Sequence, residues 1–192
     1  SPAPIVTKTL EQKIISKIVK PTLNALKSKK NPYSGFLYVG LMIKDNEPYL
    51  IEFNIRMGDP ECQVILPRLK TDIVKIFKNC TENKLSKIKL EWKKEKSMTI
   101  VLCAKGYPGS YKKNLKIKNY HKIKLSRSDF IYHAGTKFLN NELTSNGGRV
   151  LNVTSIGNSF FNIRKRIISL IKKLNWKHGF YRKDIGWKVI KR

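Results

Sequence analysis

The sequence predicts an α/β protein of the α+β type, in which helices accompany antiparallel strands. Two stretches, 7–30 and 158–174, repeat apolar residues at the spacing of an amphipathic helix. Two strand-like runs, Phe36–Ile43 and Tyr49–Asn54, are joined by a short polar connection, which predicts an antiparallel hairpin. Helices and an antiparallel sheet are therefore expected in the same chain.

The length and one change of composition predict two small units. The chain has 192 residues, enough for one sizeable domain or two small ones. A polar, lysine-rich stretch at 81–96 interrupts the apolar patterns and has the composition of a linker. We therefore expect α/β units at 1–90 and 91–192.

Caps and breakers define the helices of the first unit. Thr7 or Thr9 can cap the first helix, and Pro21 is expected to kink or restart it. A further helix is predicted over Asp72–Cys80, with Asp72 or Thr71 as its N-cap.

The second unit combines three strands with the last helix. The strands are predicted at Met98–Ala104, Phe130–His133 and Arg149–Thr154. Glycine-containing tight turns are expected at 106–109 and 146–148. In the helix over 158–174, Phe161, Ile168 and Ile171 have the spacing of buried residues.

The charge balance is strongly basic. Lys and Arg number 40 against 13 Asp and Glu, which gives a formal net charge of +27, and such an excess is typical of nucleic-acid-binding proteins. However, most of the basic residues are lysines, and Ile and Asn are frequent while Ala is rare, as AT-rich codons produce. Faces that bind phosphate favour arginine. We therefore expect lysines dispersed over the surface and no nucleic-acid partner, and keep a basic nucleic-acid-binding module as the alternative.

Two further classes are excluded by pattern. The longest apolar stretch, about 35–43, is shorter than the roughly 20 residues that span a bilayer, so no membrane partner is expected. The three cysteines, Cys62, Cys80 and Cys103, are widely spaced and form no CxxC, which favours a reducing cytoplasm.

Polar residues occupy alternate positions at the end of the second strand. Residues two apart share a face of a strand, so Glu52, Asn54 and Arg56 are expected to project together. Mg²⁺ prefers oxygen ligands, and Glu52 and Asn54 can supply two of them. Arg56 would then stand where it can neutralise a transferring phosphoryl group. The intervening apolar residues are expected in the core: Ile51, Phe53 and Ile55.

Two carboxylates follow this strand. Gly58 allows a tight turn, after which Asp59 and Glu61 suit contact with an amine substrate. An exposed edge strand with a polar face would carry the same residues, so the pattern by itself leaves both interpretations open.

The segment 52–61, Glu-Phe-Asn-x-Arg-x-Gly-Asp-Pro-Glu, resembles the signature of the phosphoribosylamine–glycine ligase family, also called glycinamide ribonucleotide synthetases, which are ATP-grasp enzymes of purine synthesis. The likeness continues through further family segments at 1–4, 35–42, 66–70, 106–109, 133–137, 146–150 and 181–187. It implies the C-terminal half of an ATP-grasp domain, with an antiparallel sheet, followed by a small α/β C-terminal ligase domain.

The resemblance also implies a reaction. ATP would phosphorylate the carboxylate of glycine, and the amine of 5-phosphoribosylamine would attack the acyl phosphate, giving glycinamide ribonucleotide, ADP and phosphate. The chain lacks the family's N-terminal domain and the first half of the ATP-grasp fold. We therefore expect a fragment or split subunit that needs the missing N-terminal half and is inactive alone.

The family's roles carry over onto matching residues. Glu52 and Asn54 would bind the Mg²⁺ or Mn²⁺ that bridges the ATP phosphates, Arg56 would steady the transferred phosphate, and Asp59 would contact a substrate amine. The strand at 35–43 contains no acid, so only two protein ligands are expected.

The remaining matched residues are expected to bind substrate. Glu61 is one of them. The others could form an anion nest for the phosphate of the ribosylamine, through their backbone amides and the side chain of Arg149: Gly135, Thr136, Asn146, Gly147, Gly148 and Arg149. Simple turn chemistry explains the same glycines equally well.

Overall fold

The computed structural model describes residues 1–190 of the chain. It contains two compact units, each built from separate stretches of sequence. The hairpin unit comprises 3–59 and 69–92, and the sheet unit comprises 1–2, 60–68 and 93–192. The division into domains at residue 90 stays a prediction. None of the helices within 1–190 combines the length and apolar character needed to cross a membrane.

The hairpin unit begins with one long helical run. It has three parts: α1 (Lys8–Ile14), a π-helical turn (Ile15–Val19) and α2 (Lys20–Ser28). Thr7 caps the start, because its hydroxyl accepts a hydrogen bond of 3.2 Å from the amide of Leu10. The π turn stands directly before Pro21, where the amide of Lys20 bonds the carbonyl of Ile15, five residues back. The helix therefore continues past Pro21, which lacks an amide hydrogen, with a wider turn in front of it.

The predicted hairpin is confirmed. Strands β1 (Tyr38–Lys44) and β2 (Glu47–Asn54) pair in antiparallel fashion. Asp45 and Asn46 form the connection with φ angles of 51° and 58°, as a two-residue type I′ turn requires.

Glu47 joins this hairpin to the first helical run. Its carboxylate accepts hydrogen bonds from Lys13 and, at 2.6 Å, from Lys17. The bonds from Lys13 and Lys17 lower the pKa of Glu47 to about 2. The first residue of β2 is thereby fixed beside α1 and the π turn.

The apolar side chains of β2 and of Ile55, the residue after it, lie in solvent. Ile51 and Ile55 are 63% and 78% exposed, and Phe53 is exposed as well. The prediction that these three residues lie in the core is therefore wrong. A two-stranded sheet has no second layer of its own to cover such side chains. Among the described residues of the hairpin unit, only Leu10 and Ile18 are buried large apolar side chains.

The last α-helix of the hairpin unit is α4 (Ile73–Thr81), which follows α3 (Cys62–Ile65) of the sheet unit along the chain. Of the two predicted caps, Asp72 is the one that caps α4, because its carboxylate accepts hydrogen bonds from two amides of the first turn. The lysine-rich stretch 81–96 is partly paired, since the amide of Glu91 donates to the hydroxyl of Thr71 at 2.7 Å. The stretch is thus tied back onto the chain that precedes α4.

The sheet unit is built on four strands in the order β4–β7–β3–β8, with every neighbouring pair antiparallel. Their bounds are β3 (Lys96–Ala104), β4 (Asp129–His133), β7 (Arg149–Gly157) and β8 (Gly179–Phe180). The three predicted strands are therefore confirmed, each within a few residues of its expected bounds. Two short helices complete the unit: α3 (Cys62–Ile65) and α6 (Trp187–Ile190).

The core of the sheet unit lies between the sheet and α5 (Phe160–Leu174). Met98, Ile100 and Leu102 of β3 face this helix. The helix buries Phe160, Ile163, Ile167, Leu170, Ile171 and Leu174. Phe161 is 60% exposed, so its predicted burial is wrong, because its neighbour Phe160 occupies the core-facing position.

A second hairpin was not predicted. Strands β5 (Thr136–Leu139) and β6 (Glu142–Ser145) pair through a turn at Asn140 and Asn141, whose φ angles are 48° and 61°. Its apolar residue Leu143 joins the core. The Asn-Asn turn was the available signal, since asparagine tolerates positive φ.

Candidate metal and substrate site

The two expected metal ligands are neighbours on β2. Glu52 is exposed and Asn54 half-buried, and the amide nitrogen of Asn54 donates a hydrogen bond of 3.1 Å to the Glu52 carboxylate. The glycine opposite Glu52 leaves room for this arrangement, because a Cβ at Gly40 would lie 2.9 Å from Glu52 Cγ. The strand pleat thus places a carboxylate and an amide side by side, as predicted.

These two residues fit a hard divalent cation. Both carry oxygen donors, and Mg²⁺ commonly takes one or two protein ligands and fills its other positions with phosphate and water oxygens. Within residues 1–190, no group of three or more His, Cys, Asp or Glu side chains could hold a metal ion. Glu52 and Asn54 could thus supply two oxygen ligands to a cation at β2.

Arg56 lies beyond the strand. Because β2 ends at Asn54, the pleat does not fix the direction of Arg56, which stands in a bend. Its Nη1 donates a hydrogen bond of 2.9 Å to the carbonyl of Met57, and its side chain is exposed. The guanidinium is therefore at the surface and held by its own backbone.

The two carboxylates after Gly58 belong to different units. Asp59 is exposed and closes the first stretch of the hairpin unit, and Glu61 is half-buried in the sheet unit. Glu61 stands at the N-terminus of α3, where its carbonyl accepts hydrogen bonds from the amides of Val64 and Ile65, both at 3.1 Å. Their substrate roles stay predictions.

The predicted anion nest is a tight pairing of two loops. The amide of Gly135 donates to the carbonyl of Arg149 at 2.8 Å. The amides of Asn146 and Gly147 both donate to the carbonyl of Gly135, at 2.7 and 3.1 Å. A Cβ at Gly135 would lie 2.5 Å from Gly147 Cα, so these glycines permit the close approach of the backbones. Three of the expected amide donors therefore already donate to backbone carbonyls. An anion at these loops would have to be bound by side chains.

Both ring nitrogens of His133, which lies next to these loops, are within hydrogen-bonding distance of a hydroxyl group. Its Nε2 and the hydroxyl of Tyr120 are 2.8 Å apart, and its Nδ1 and the hydroxyl of Thr136 are 2.9 Å apart. This contact fixes Thr136, one of the predicted substrate residues. Sequence reasoning missed it because Tyr120 lies thirteen residues before the histidine, in a short 3₁₀ turn (Tyr120–Lys122).

The last two residues of the nest have structural neighbours in β3 and in the turn that follows it. A Cβ at Gly148 would lie 2.1 Å from Tyr107 Cδ2, so the tyrosine ring packs on bare glycine backbone. Arg149 is the cross-strand partner of Cys103. Burial raises the pKa of the Cys103 thiol, and the positive charge of Arg149 opposes that rise.

Two family models match this chain. "Phosphoribosylglycinamide synthetase, ATP-grasp (A) domain" matches residues 1–62, and "Phosphoribosylglycinamide synthetase, C domain" matches residues 97–188. The first match contains the Glu52–Asn54 pair. The second contains the paired loops and the four-stranded sheet.

Relatives and a solved structure match over nearly the whole chain. The phosphoribosylamine–glycine ligase of Agrobacterium fabrum is 41% identical over 192 residues, which are 100% of this chain and 45% of that protein. The chloroplastic phosphoribosylamine–glycine ligase of Arabidopsis thaliana is 40% identical over 196 residues, covering 100% of this chain and 37% of that protein. The crystal structure of phosphoribosylamine–glycine ligase from Thermotoga maritima superposes with a TM-score of 0.74 at 30% identity, covering 95% of this chain and 44% of that one.

The chain thus spans less than half the length of the relatives it matches, and it corresponds to their C-terminal part. The nucleic-acid alternative gains no support from these matches. The chain belongs to the phosphoribosylglycinamide synthetase family, and its fold is that of an ATP-grasp and C-domain fragment.

Proposed function

We propose that this chain is the C-terminal part of a phosphoribosylamine–glycine ligase of purine synthesis, an ATP-dependent carbon–nitrogen ligase. The observation that carries the proposal is the Glu52–Asn54 pair, because it stands on a strand inside the residues that match the ATP-grasp domain. The matched relatives bear the name of that enzyme over the full length of this chain.

The reaction would proceed in two balanced steps. An oxygen of the glycine carboxylate takes the γ-phosphoryl group of ATP, which releases ADP and forms glycyl phosphate. The amine nitrogen of 5-phosphoribosylamine then bonds to the carbonyl carbon, inorganic phosphate leaves, and the nitrogen loses a proton. The protein positions the reactants and stabilises the charge that develops on the transferring phosphoryl group.

Glu52 and Asn54 would hold the divalent cation. A bound Mg²⁺ or Mn²⁺ would neutralise phosphate oxygens of ATP, and both ions accept carboxylate and amide oxygens. Asn54 would have to turn its amide oxygen toward the cation, because its nitrogen now faces Glu52. Gly40 leaves the Glu52 side chain the room to keep its place during this change.

Arg56 and Asp59 would act on the reacting groups. The exposed guanidinium of Arg56 would leave the carbonyl of Met57 and bind the transferring phosphate, since charge-assisted bonds to phosphate are stronger than a bond to a neutral carbonyl. Asp59, also exposed, would bind a substrate amine. Glu61 would contribute a second carboxylate.

The paired loops would form the surface of the sheet unit that contacts the substrate. The side chains of Thr136 and Arg149 would supply the polar contacts, because the neighbouring amides are already bonded. The three glycines shape this surface instead of binding the ligand directly: Gly135, Gly147 and Gly148. Asn146 would add a side-chain amide at the rim.

The missing N-terminal half of the enzyme would complete the nucleotide site. The exposed apolar face of β2 supports this, since large apolar side chains such as Ile51 and Ile55 are normally covered in a finished domain. The three cysteines are free thiols, which supports the cytoplasmic location that we propose.

A chimera tests the proposal. This chain would replace the matching C-terminal part of the Agrobacterium fabrum ligase, and ADP formation that depends on glycine and 5-phosphoribosylamine would be measured. We expect an active chimera, a loss of roughly 100-fold or more in kcat for Glu52→Gln, and no change for Glu11→Gln, an exposed helix residue used as the control. A folded chimera without activity, or full activity of Glu52→Gln, would contradict the proposal.

A further inference from the structure

The stretch 111–124 of the sheet unit concentrates positive charge, and we call it the lysine segment. It contains six lysines and no Asp or Glu: Lys112, Lys113, Lys116, Lys118, Lys122 and Lys124. All six are exposed. Lys116 pairs with Glu142, and the other lysines of the segment form no ion pair with any residue of 1–190. Most of this charge therefore faces solvent without a carboxylate beside it.

The backbone of the lysine segment is fixed to the protein by its apolar side chains. These pack against the core of the sheet unit: Tyr111, Leu115, Ile117, Tyr120 and Ile123. Lys116 and Lys118 flank Ile117, which is only 2% exposed, so the two lysines share the outward face. The charges thus stand on a packed backbone and not on a loose loop.

The lysine segment adds a third strand to the β5–β6 hairpin. Lys116 is the antiparallel partner of Thr144 in β6. The amide of Ile117 donates to the carbonyl of Leu143 at 2.8 Å, and a bond of 2.9 Å joins the two strands on the other side of the pair. In such a pair the backbone groups of the middle residue face the opposite edge. The N–H and C=O of Lys116 therefore point away from β6, and neither bonds another residue of 1–190.

This open edge and the charge beside it favour the same kind of partner. An unpaired strand edge can bond the backbone of another extended segment. Side chains of the added strand then lie opposite those of the edge strand, where opposite charges attract. Since Lys116 and Lys118 stand two residues apart on one face, carboxylates at alternate positions of a partner would match them.

Other occupants of this edge fit less well. A second copy of this chain would bring the same lysines to the edge, and like charges opposite each other are destabilising. A single-stranded nucleic acid uses aromatic rings on which its bases stack, but both tyrosines of the lysine segment pack against the core. The segment also contains no arginine, the residue that binds phosphate in bidentate fashion.

We propose that the lysine segment is a docking surface for an extended acidic segment of a partner protein. The partner would add as a strand beside Lys116 and set its carboxylates against the exposed lysines. Backbone pairing would supply the geometry, and charge would supply the selection for an acidic sequence. The inference goes beyond the proposed function and does not depend on it.

Binding of a defined acidic peptide to the 192-residue chain tests the proposal. The probe is an acetylated and amidated octapeptide of alternating Glu and Thr, and its matched control carries Gln in place of Glu. Titrations followed by ¹H–¹⁵N NMR at low salt would give each Kd. We expect the Gln peptide to bind at least about 10-fold more weakly.

Hydrogen exchange in the same samples tests the strand pairing. The amide of Lys116, which has no acceptor within residues 1–190, should become protected when the acidic peptide is bound. The amide of Ile117 already donates to Leu143 and serves as the internal control, so its exchange should stay unchanged. Attraction between side chains alone would leave both amides as they are.

Two variants that lose the same charge identify the surface. The first changes four lysines of the segment to Gln and keeps the pair of Lys116 with Glu142: Lys112, Lys113, Lys118 and Lys122. It should raise the Kd of the acidic peptide by about 10-fold or more. The control changes four exposed lysines of the hairpin unit to Gln and should alter the Kd by less than about 2-fold: Lys20, Lys27, Lys29 and Lys30.

Several outcomes would overturn the proposal. These are no binding at millimolar acidic peptide, an equal Kd for the Gln peptide, equal effects of the two variants, or a bound state in which the amide of Lys116 stays unprotected. An oligothymidine that binds through the same lysines more tightly than the peptide would replace the acidic protein by a nucleic acid. If the first variant does not fold, Lys118→Glu is the alternative, and it should weaken binding about 3-fold or more.

The chimeric ligase shows whether the edge is open in a complete enzyme. We expect the acidic peptide to bind the chimera with a similar Kd, whether or not the chimera is active. Loss of binding in a folded chimera would mean that the N-terminal half covers this edge, which would overturn the docking surface and leave the ligase function intact. An inactive chimera that binds the peptide would overturn the ligase function alone.

Discussion

The hydroxyl of Tyr120 and Nε2 of His133 are 2.8 Å apart, and their rings meet edge-on with centroids 5.1 Å apart. The same histidine bonds the hydroxyl of Thr136 through its other nitrogen. Tyr120 thus fixes the imidazole, and the imidazole in turn fixes the first residue of β5.

Replacing Tyr120 by Phe should lower the free energy of unfolding by about 1 kcal/mol, because one hydrogen bond is lost while the ring packing remains. Urea denaturation followed by tryptophan fluorescence measures this. Tyr181→Phe is the control, since no hydrogen bond from its hydroxyl to residues 1–190 is present. Amide exchange at Thr136 should accelerate in Tyr120→Phe alone, and equal exchange rates in both variants would contradict the linkage.

Asp129 should make stability depend on acid pH. Burial by itself would raise the pKa of this 8% exposed carboxyl, but hydrogen bonds from Ser126 and Ser155, both 2.6 Å, together with Arg166 outweigh burial and hold the pKa below its usual range. The unfolded state then binds more protons at low pH than the folded state does. The contribution of Asp129 is therefore complete above about pH 4 and is lost as the pH falls through the lowered value.

Asp129→Asn should remove that part of the pH dependence and lower the free energy of unfolding by about 2 kcal/mol at pH 7. Urea denaturation at a series of pH values between 2 and 7 would measure both effects. Asp45→Asn, in the exposed hairpin turn, is the control. A parallel pH profile for Asp129→Asn and the unchanged protein would show that the network contributes nothing.

Gly148→Ala should destabilise the sheet unit by about 2 to 3 kcal/mol, because the new methyl group would stand 2.1 Å from the ring of Tyr107 inside a buried turn. Thermal unfolding gives the change in Tm. Gly109→Ala, where the nearest atom is 3.2 Å away, should change stability much less. Similar losses in the two variants would show that Tyr107 can move aside freely.

Ile51→Lys should leave the stability of this chain within about 0.5 kcal/mol, because the side chain is mostly in solvent. In the chimeric ligase the same change should sharply reduce stability, since we expect the N-terminal half to cover this face. Urea denaturation of both proteins makes the comparison. Ser16→Lys, on an exposed helix position, is the control.

The 192-residue chain alone should bind ATP poorly and form no product, because it spans less than half the length of its relatives and we propose that the other part completes the nucleotide site. Calorimetric titration with Mg²⁺ and ATP, and a product assay with glycine and 5-phosphoribosylamine, would check both statements. Detectable glycinamide ribonucleotide from the purified chain would contradict them.

Local chemistry made several features predictable from the sequence. Thr7 and Asp72 cap their helices because short polar side chains next to apolar repeats do so in most contexts. The pleat of β2 correctly placed Glu52 beside Asn54, since strand geometry depends on few neighbours.

Features that depend on distant partners escaped prediction. The apolar residues of β2, such as Ile51, were expected in a core because alternation shows which residues share a face but not whether another layer covers that face. The amides of Gly135 and Gly147 were expected to bind an anion, and their actual acceptors lie in loops that the sequence alone could not bring together.

The interleaved order of the two units has a practical consequence for dissecting this protein. A truncated version that begins at residue 91 would lose 60–68, and with it α3, which packs against β3 and β7 within the sheet unit. Replacing 69–92 with a short flexible bridge between Arg68 and Lys93 is the better excision. The guanidinium of Arg68 donates hydrogen bonds to the carbonyls of Lys93 and Glu95. The two ends that the bridge would join are therefore already in contact.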